Sequence, residues 1–581
     1  MVQLEINGIE VSVDEGTNVL NAATAANVVI PKLCYHSDLP AWAACGICVV
    51  KVEGSRKLIR ACTLEATEGM KVITHDPELQ EIRRTVIELI LSTHPNSCLT
   101  CPRNGTCELQ KLAGEFGIRE QPFESIVKDI PADTSTPSIV LNPEKCIGCG
   151  RCVKVCQGLQ DVWALEFIGR GDETRMAPAG DIALNDSPCI KCGQCSAHCP
   201  VGAIFEKDDT KKVYDAVRDE KKHTVVQIAP AVRVALGEAF GMEPGSIVTG
   251  KIYAALRRLG FDTVFDTNFA ADLTIMEEAS EFVERVANGH GPLPLITTCC
   301  PSWVDYMEKY YSEMIPHFST AKSPQMMMAA MVKGYYAQKI DKKPQEIFMA
   351  SVMPCTSKKY EIVRDENMYS SGTQDIDVVI TTRELSRMIK QAGITFESLP
   401  DEEADNALGM YTGAGTIFGA TGGVMEAALR TGYHLITGEE LEQFEFEGVR
   451  GLEGIKKATV EIAGQEIRVA VAHNMKNIKI VLDEVKEALA EGKEPPYHFI
   501  EVMACRGGCI AGGGQPYGGT DAIREKRMAA LYQDDVNQDI RCSHQNPAIQ
   551  ALYKEFLGEP LSEKSHKYLH THYTPRPVYV K

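Results

Sequence analysis

Thr297-Thr298-Cys299-Cys300-Pro301-Ser302-Trp303, Val352-Met353-Pro354-Cys355-Thr356-Ser357-Lys358-Lys359 and the glycine-rich run from Glu501 to Gln515 are the stretches on which the chain turns. The third contains Met503-Ala504-Cys505-Arg506-Gly507-Gly508-Cys509 followed by Gly512-Gly513-Gly514. Only this last stretch carries two thiols at metal-ligand spacing by itself, so the set makes sense only if distant segments meet in space.

Working outward, 581 residues imply several domains, and a 44% hydrophobic fraction is enough for a sizeable core. A net charge of −19 disfavours nucleic acid and anionic membranes as partners. No run of eighteen apolar residues occurs, and Met1-Val2-Gln3-Leu4-Glu5 lacks the basic start of a secretory signal, so the expectation is a soluble, cytoplasmic protein. In that compartment 21 cysteines point to metal rather than disulfides.

The first segment, 1–78, alternates Leu4, Ile6, Ile9, Val11 and Val13 about Asn7-Gly8, a type I′ hairpin signal. A helix capped by Thr17 or Asn18 follows, to Asn27, which predicts a small α+β domain of the β-grasp type. Cys34, Cys45, Cys48 and Cys62 suit a [2Fe–2S] cluster, with four-cysteine zinc as the alternative. In 79–125 a helix over Pro77–Leu91 precedes His94, Cys98, Cys101 and Cys107, a set that holds zinc as readily as iron. His36 and His75 have no ligand pattern and read as structural or exposed. In 138–209, introduced by the Thr/Ser/Pro-rich linker Pro131–Pro143, Cys-x2-Cys-x2-Cys-x3-Cys occurs twice, the signature of a bacterial two-cluster ferredoxin. The fourth cysteine of each run serves the other cluster. Thus Cys146, Cys149, Cys152 and Cys199 hold one [4Fe–4S], and Cys189, Cys192, Cys195 and Cys156 the other.

From 210 to 515 strands alternate with helices. Val225–Ile228, Thr263–Phe265, Ile347–Val352 and Asp377–Ile380 read as strands, and Lys251–Leu259, Ala270–Ala287 and Thr382–Ala392 as helices. Strands that end at functional turns predict an α/β catalytic domain with mainly parallel sheets and its site at their carboxyl edge. Residues 516–581 read as a wrapping tail with two helical stretches. The glycine-rich stretch Thr412–Gly423 has neither Rossmann nor P-loop spacing.

The three cysteine stretches resemble the signature motifs of [FeFe]-hydrogenases, and the front half is similar to the multi-cluster members of that family and to the complex I large subunit. The resemblance implies an H-cluster: a [4Fe–4S] cubane on Cys300, Cys355, Cys505 and Cys509, with Cys509 bridging to a two-iron subsite that carries CO, cyanide and a dithiolate. It further implies one [2Fe–2S] and three other [4Fe–4S] clusters, one of them on His94 with its three cysteines. Cys299 becomes the proton-exchanging thiol, with Glu278, Ser319 and Glu281 as the relay and Arg285 at its exit. Lys358 faces a cyanide, Lys359 is left as a surface lysine, and Met353, Met503, Ala229, Pro230 and Gln325 line the pocket. Thr298, Ser302 and Ala231 depart from residues common in the family, and none of them is a ligand. Cys542 alone stays outside every set.

The implied activity is reversible oxidation of dihydrogen, with electrons relayed through the N-terminal clusters and ferredoxin as a partner. The chain shows no flavin or nucleotide site. The complex I-like half therefore favours the catalytic subunit of a multimeric, electron-bifurcating hydrogenase with flavin- and NAD-binding partner subunits, loaded by maturation proteins. The alternatives are a stand-alone ferredoxin-dependent enzyme, or a noncatalytic relay, assembly or sensory relative.

Overall fold

The computed structural model describes residues 1–441 and 444–580. The catalytic region is built on two four-stranded sheets. The first is all parallel, in the order Thr263–Asp266, His223–Ile228, Ile347–Met353, Val378–Thr381. Its register aligns Ile228 with Val352 and Met353 with Thr381, so three strands end together at one edge. The second runs Leu295–Ile296, Phe499–Met503, Gln465–His473, Ile455–Ile462, and its last pair is an antiparallel hairpin. Parallel strands covered on both faces read as continuous apolar runs. Ile347–Met353 does so apart from Ser351, and Phe499–Met503 apart from the buried Glu501, with only Phe348 short of full burial.

Two helices dominate the filling. Thr267–Asn288, capped by the Asp266 carboxylate on the Asn268 amide, buries fourteen side chains. Pro324–Met331 is buried all round with four methionines, as a helix inside a large core must be. Trp303, fully buried, donates to the Thr297 carbonyl at 3.0 Å and lies edge-on to Phe318. This ties the first cysteine stretch to the core before its thiols are placed.

At the N-terminus Val2–Ile6 and Ile9–Val13 form the hairpin, with Asn7 and Gly8 both at positive φ. The mixed five-stranded sheet runs Ile9–Val13, Val2–Ile6, Lys71–Ile73, Val49–Val52, Ile59–Arg60, beside the helix Val19–Ala25. Asn18, not Thr17, caps that helix, and the helix stops two residues before Asn27. Pro77–Ser92 and Glu108–Glu115 are the helices of the next segment. The linker Pro131–Pro143 contains a short strand, Ile139–Leu141, paired antiparallel with Ile204–Glu206 across the ferredoxin repeat. The tail corrects the two-helix expectation: Asp521–Val536, Pro547–Leu552 and Glu563–Leu569 make three, because Pro547 restarts the chain with Asn546 as its cap. Among the described residues no helix is long and apolar enough to cross a membrane.

Candidate active site

Each cysteine stretch leaves the carboxyl end of a strand. Leu295–Ile296 runs into Cys299-Cys300, with Cys300 the extended residue before the helix Pro301–Tyr310. Ile347–Met353 ends at Pro354-Cys355, and Phe499–Met503 at Ala504-Cys505. Between Cys505 and Cys509 the chain must reverse sharply. Gly507 and Gly508 do so at φ +76° and +96°, and a side chain on Gly508 would strike the Thr421 amide at 2.7 Å.

The result is one shared cavity. Its walls include Cys299, Cys300, Cys355, Cys505 and Cys509, although these come from segments two hundred residues apart in sequence. Ala229, Pro230, Gln325, Met353, Lys358 and Met503 line the same space. Phe418 and Gly419 bring in the glycine-rich stretch. Burial pushes the Cys355 and Cys509 thiols up to about 12, and Cys300 opposes ionisation of both. Such a crowd of buried thiols is stable as thiolates only around a cation, which is the donor chemistry a soft iron cluster requires. Gln325 adds a buried amide oxygen with no partner. The residues present therefore fit the implied cluster.

Lys358 Nζ donates to the Cys299 carbonyl at 3.0 Å and pairs with Glu361 at 2.9 Å. Burial works against its charge, but Glu361 outweighs that and holds its pKa above the ordinary lysine value. Glu361 also accepts from Gln325 at 2.6 Å. Lys359 is not a surface lysine: it is 3% exposed and bonded to Asp209 and Glu384. The helix Lys358–Glu361 turns it inward, onto the capping carboxylate of the helix Thr382–Gln391.

Behind Cys299, Glu278, Glu281 and Arg285 of the helix Thr267–Asn288 share a face that is largely buried rather than solvated. Glu278 is 2% exposed, and burial pushes its carboxyl up to about 8, with Glu281 adding to the rise and Ser319 opposing it. Ser319 Oγ donates to Glu281 at 3.3 Å, and Arg285 donates to Glu281 at 2.6 Å. Arg285 also caps the carbonyls of Pro292, Pro316 and Phe318. Burial and the adjacent Glu278 raise the Cys299 thiol well above its usual range. Glu278 thus interacts with Ser319, Ser319 with Glu281, and Glu278 acts electrostatically on the Cys299 thiol.

Other cysteines also gather. The thiols of Cys34, Cys45, Cys48 and Cys62 lie near enough to shift one another's ionisation. His94 is buried with Nδ1 unpartnered, and burial pushes it down to about 4, so it is the neutral base a metal takes. Cys101 lies against the Gly202 backbone and shares an electrostatic neighbourhood with Cys107. Cys156, Cys189, Cys192 and Cys195 line one cavity. Cys199 is instead coupled to Cys146, Cys149 and Cys152. His36 packs its ring on His198 at 4.5 Å, His75 is exposed, and Cys542 is buried outside every set.

One contact had no sequence signal. Gln194, between two ferredoxin cysteines, donates to Cys505 Sγ at 3.1 Å and to the Ala511 carbonyl at 2.9 Å. Beside it Gly193 and Gly513 touch backbone to backbone, and Thr356 Oγ1 donates to the Lys191 carbonyl at 2.9 Å. The ferredoxin repeat is thereby seated on the wall of the main cavity.

Residues 222–513 match the family "iron only hydrogenase large subunit, C-terminal domain". The chain is 47% identical to "NADP-reducing hydrogenase subunit HndD" of Solidesulfovibrio fructosivorans, over 99% of both chains. The chain belongs to the [FeFe]-hydrogenase family. It is 42% identical to "iron hydrogenase 1" of Clostridium pasteurianum, over 99% of this chain and 100% of the other. A solved [FeFe]-hydrogenase, HydA(deltaEFG), is 41% identical and superposes with a TM-score of 0.57, covering 64% of this chain and 100% of its own. Residues 1–77 match a 2Fe-2S cluster binding domain, 83–122 the iron–sulfur region of NADH-ubiquinone oxidoreductase G, and 145–203 a 4Fe-4S dicluster domain. Residues 521–576 match the iron hydrogenase small subunit, here fused as the tail. This hydrogenase is therefore an oxidoreductase acting on dihydrogen, with iron–sulfur relay domains ahead of its H-cluster domain.

Proposed function

We propose that this hydrogenase reversibly oxidises dihydrogen and reduces protons, with Cys300, Cys355, Cys505 and Cys509 holding the cubane of the H-cluster. The supporting observation is the shared cavity of these four thiols with Cys299. The H-cluster, when bound, supplies the two-electron chemistry of dihydrogen, and the chain supplies orientation, dryness and protons. Cys299 presents a protonated thiol to the cavity. Glu278, protonated up to about pH 8, accepts and returns that proton, and Ser319 and Glu281 carry it outward past Arg285. Lys358, fixed by Glu361, donates charge-assisted hydrogen bonds to an anionic ligand, while Met353, Met503, Ala229, Pro230 and Gln325 shape the wall.

Electrons leave through the site of Cys156, Cys189, Cys192 and Cys195, which meets the cavity at Gln194. They continue through that of Cys146, Cys149, Cys152 and Cys199, then His94 with Cys98, Cys101 and Cys107, and the [2Fe–2S] of Cys34, Cys45, Cys48 and Cys62. That makes one [2Fe–2S] and three [4Fe–4S] clusters besides the H-cluster. The corresponding domains are 1–78, whose strand order is that of a β-grasp, 79–125, 138–209, 210–515 and 516–581.

In its cell the chain acts as the catalytic subunit of a cytoplasmic, electron-bifurcating complex. Flavin- and NAD-binding subunits and ferredoxin are its partners, and maturation proteins load its two-iron subsite. The support is the relative over its whole length that is itself a subunit of an NADP-reducing hydrogenase. Matured enzyme should consume dihydrogen with a viologen dye and copurify with a flavin-bearing subunit. Loss of the first result with a loaded subsite removes the catalytic reading. Purification as an active single chain selects the stand-alone ferredoxin-dependent alternative.

A further inference from the structure

Two histidine–carboxylate clusters lie outside the redox sites. In His36, Asp38 and His198 the carboxylate is already taken, because Arg524 donates to both of its oxygens. The second cluster differs. His544 Nε2 lies 3.1 and 3.0 Å from the two Glu440 oxygens, and His434 Nδ1 lies 3.1 Å from one of them. The three ligand atoms lie within 4.8 Å of one another. Among the described residues no lysine or arginine pairs with Glu440.

The two rings stack at 4.1 Å and 7°, an arrangement that two imidazolium charges would oppose. Despite its nearness to the carboxylate, His434 Nδ1 is buried and makes no hydrogen bond of suitable geometry. On its far side, His544 Nδ1 sits 3.4 Å from Thr431 Oγ1, one turn before His434 on the same helix. An outer hydrogen bond of this kind orients an imidazole that binds metal through its other nitrogen.

We propose that His434, Glu440 and His544 bind one divalent first-row transition ion, best suited to zinc. Two imidazoles and a carboxylate are a sufficient donor set, and the half-exposed side of Glu440 leaves a fourth position to water. The ion would clamp the turn Ser543–Gln545 to the C-terminal end of the helix Gly423–Thr437, and none of its three ligands lines the thiol-lined cavity.

The test titrates zinc chloride into the cluster-loaded enzyme by calorimetry, beside His434→Ala and Glu440→Gln variants of unchanged iron content. One equivalent should bind to the wild type, with affinity at least about tenfold weaker in either variant. Zinc-edge X-ray absorption of the wild type provides a second readout that needs no variant. It should show nitrogen and oxygen neighbours at about 2.0–2.2 Å. Equal binding by wild type and variants, no binding at all, or a sulfur shell at about 2.3 Å would each overturn the site.

Discussion

At the level of single side chains, proton transfer rests on Cys299 and Glu278. Cys299→Ser replaces the thiol with a hydroxyl, a far weaker acid. Turnover should fall by about 10²-fold or more, while iron content stays unchanged. Glu278→Gln tests the carboxyl's buried state. Its pKa rises from 4.5 to about 8 on folding, so the native state binds the extra proton between those values. Stability therefore falls as pH rises from 4.5 to 8 and stays reduced above that. The variant should match wild type below pH 4.5 and gain apparent thermal stability up to pH 8, by at most about 5 kcal/mol, while losing turnover. A stability difference independent of pH would show that Glu278 is not protonated in the fold. The meeting of Cys299, Cys300, Cys355, Cys505 and Cys509 at one cavity was legible only through the family resemblance of their three stretches, because no local spacing joins them. The burial of Lys359 was not, because its partners Asp209 and Glu384 come from elsewhere in the chain.

Among the elements, strand–turn–helix units with apolar strands were readable, and Ile347–Met353 and Val378–Thr381 lie within a residue of expectation. The second sheet was harder to see. Its hairpin Ile455–Ile462 and Gln465–His473 has an outer strand that sets Lys456, Lys457, Thr459 and Glu461 among apolar residues and so resembles exposed loop. The docking of the ferredoxin repeat had no signal, since it depends on missing side chains. Gly193 sits at φ +70°, and an added methyl would lie 2.2 Å from Thr356 Oγ1 and 3.2 Å from the Gly513 backbone. Gly193→Ala should separate the repeat from the main cavity and break the Gln194–Cys505 bond. Ferredoxin-linked turnover should fall at least about tenfold, with hydrogen–deuterium exchange at the cluster, which needs no external electrons, largely kept. Equal loss of both activities would count against this route.

For the whole molecule, the relay demands that separately folded parts stay docked. Asp38 of the N-terminal domain is 3% exposed through its side chain and is held by Arg524 of the tail and His198 of the ferredoxin repeat. Removing one member of a buried pair costs about 3–5 kcal/mol. Asp38→Ala should therefore loosen residues 1–78, making them release earlier in limited proteolysis, with dye-linked hydrogen uptake little changed. Overall, the order of parts was plain from cysteine spacing, whereas their seating was not, because it rests on pairs such as Asp38 and Arg524, 486 residues apart. The most direct test of the central claim, that four distant thiols share one inorganic centre, is the infrared spectrum of the matured enzyme. Metal-bound CO and cyanide bands should appear in the wild type, persist in Cys299→Ser and vanish in Cys509→Ser. Their absence from fully matured wild type, or their survival unchanged without Cys509, would contradict it.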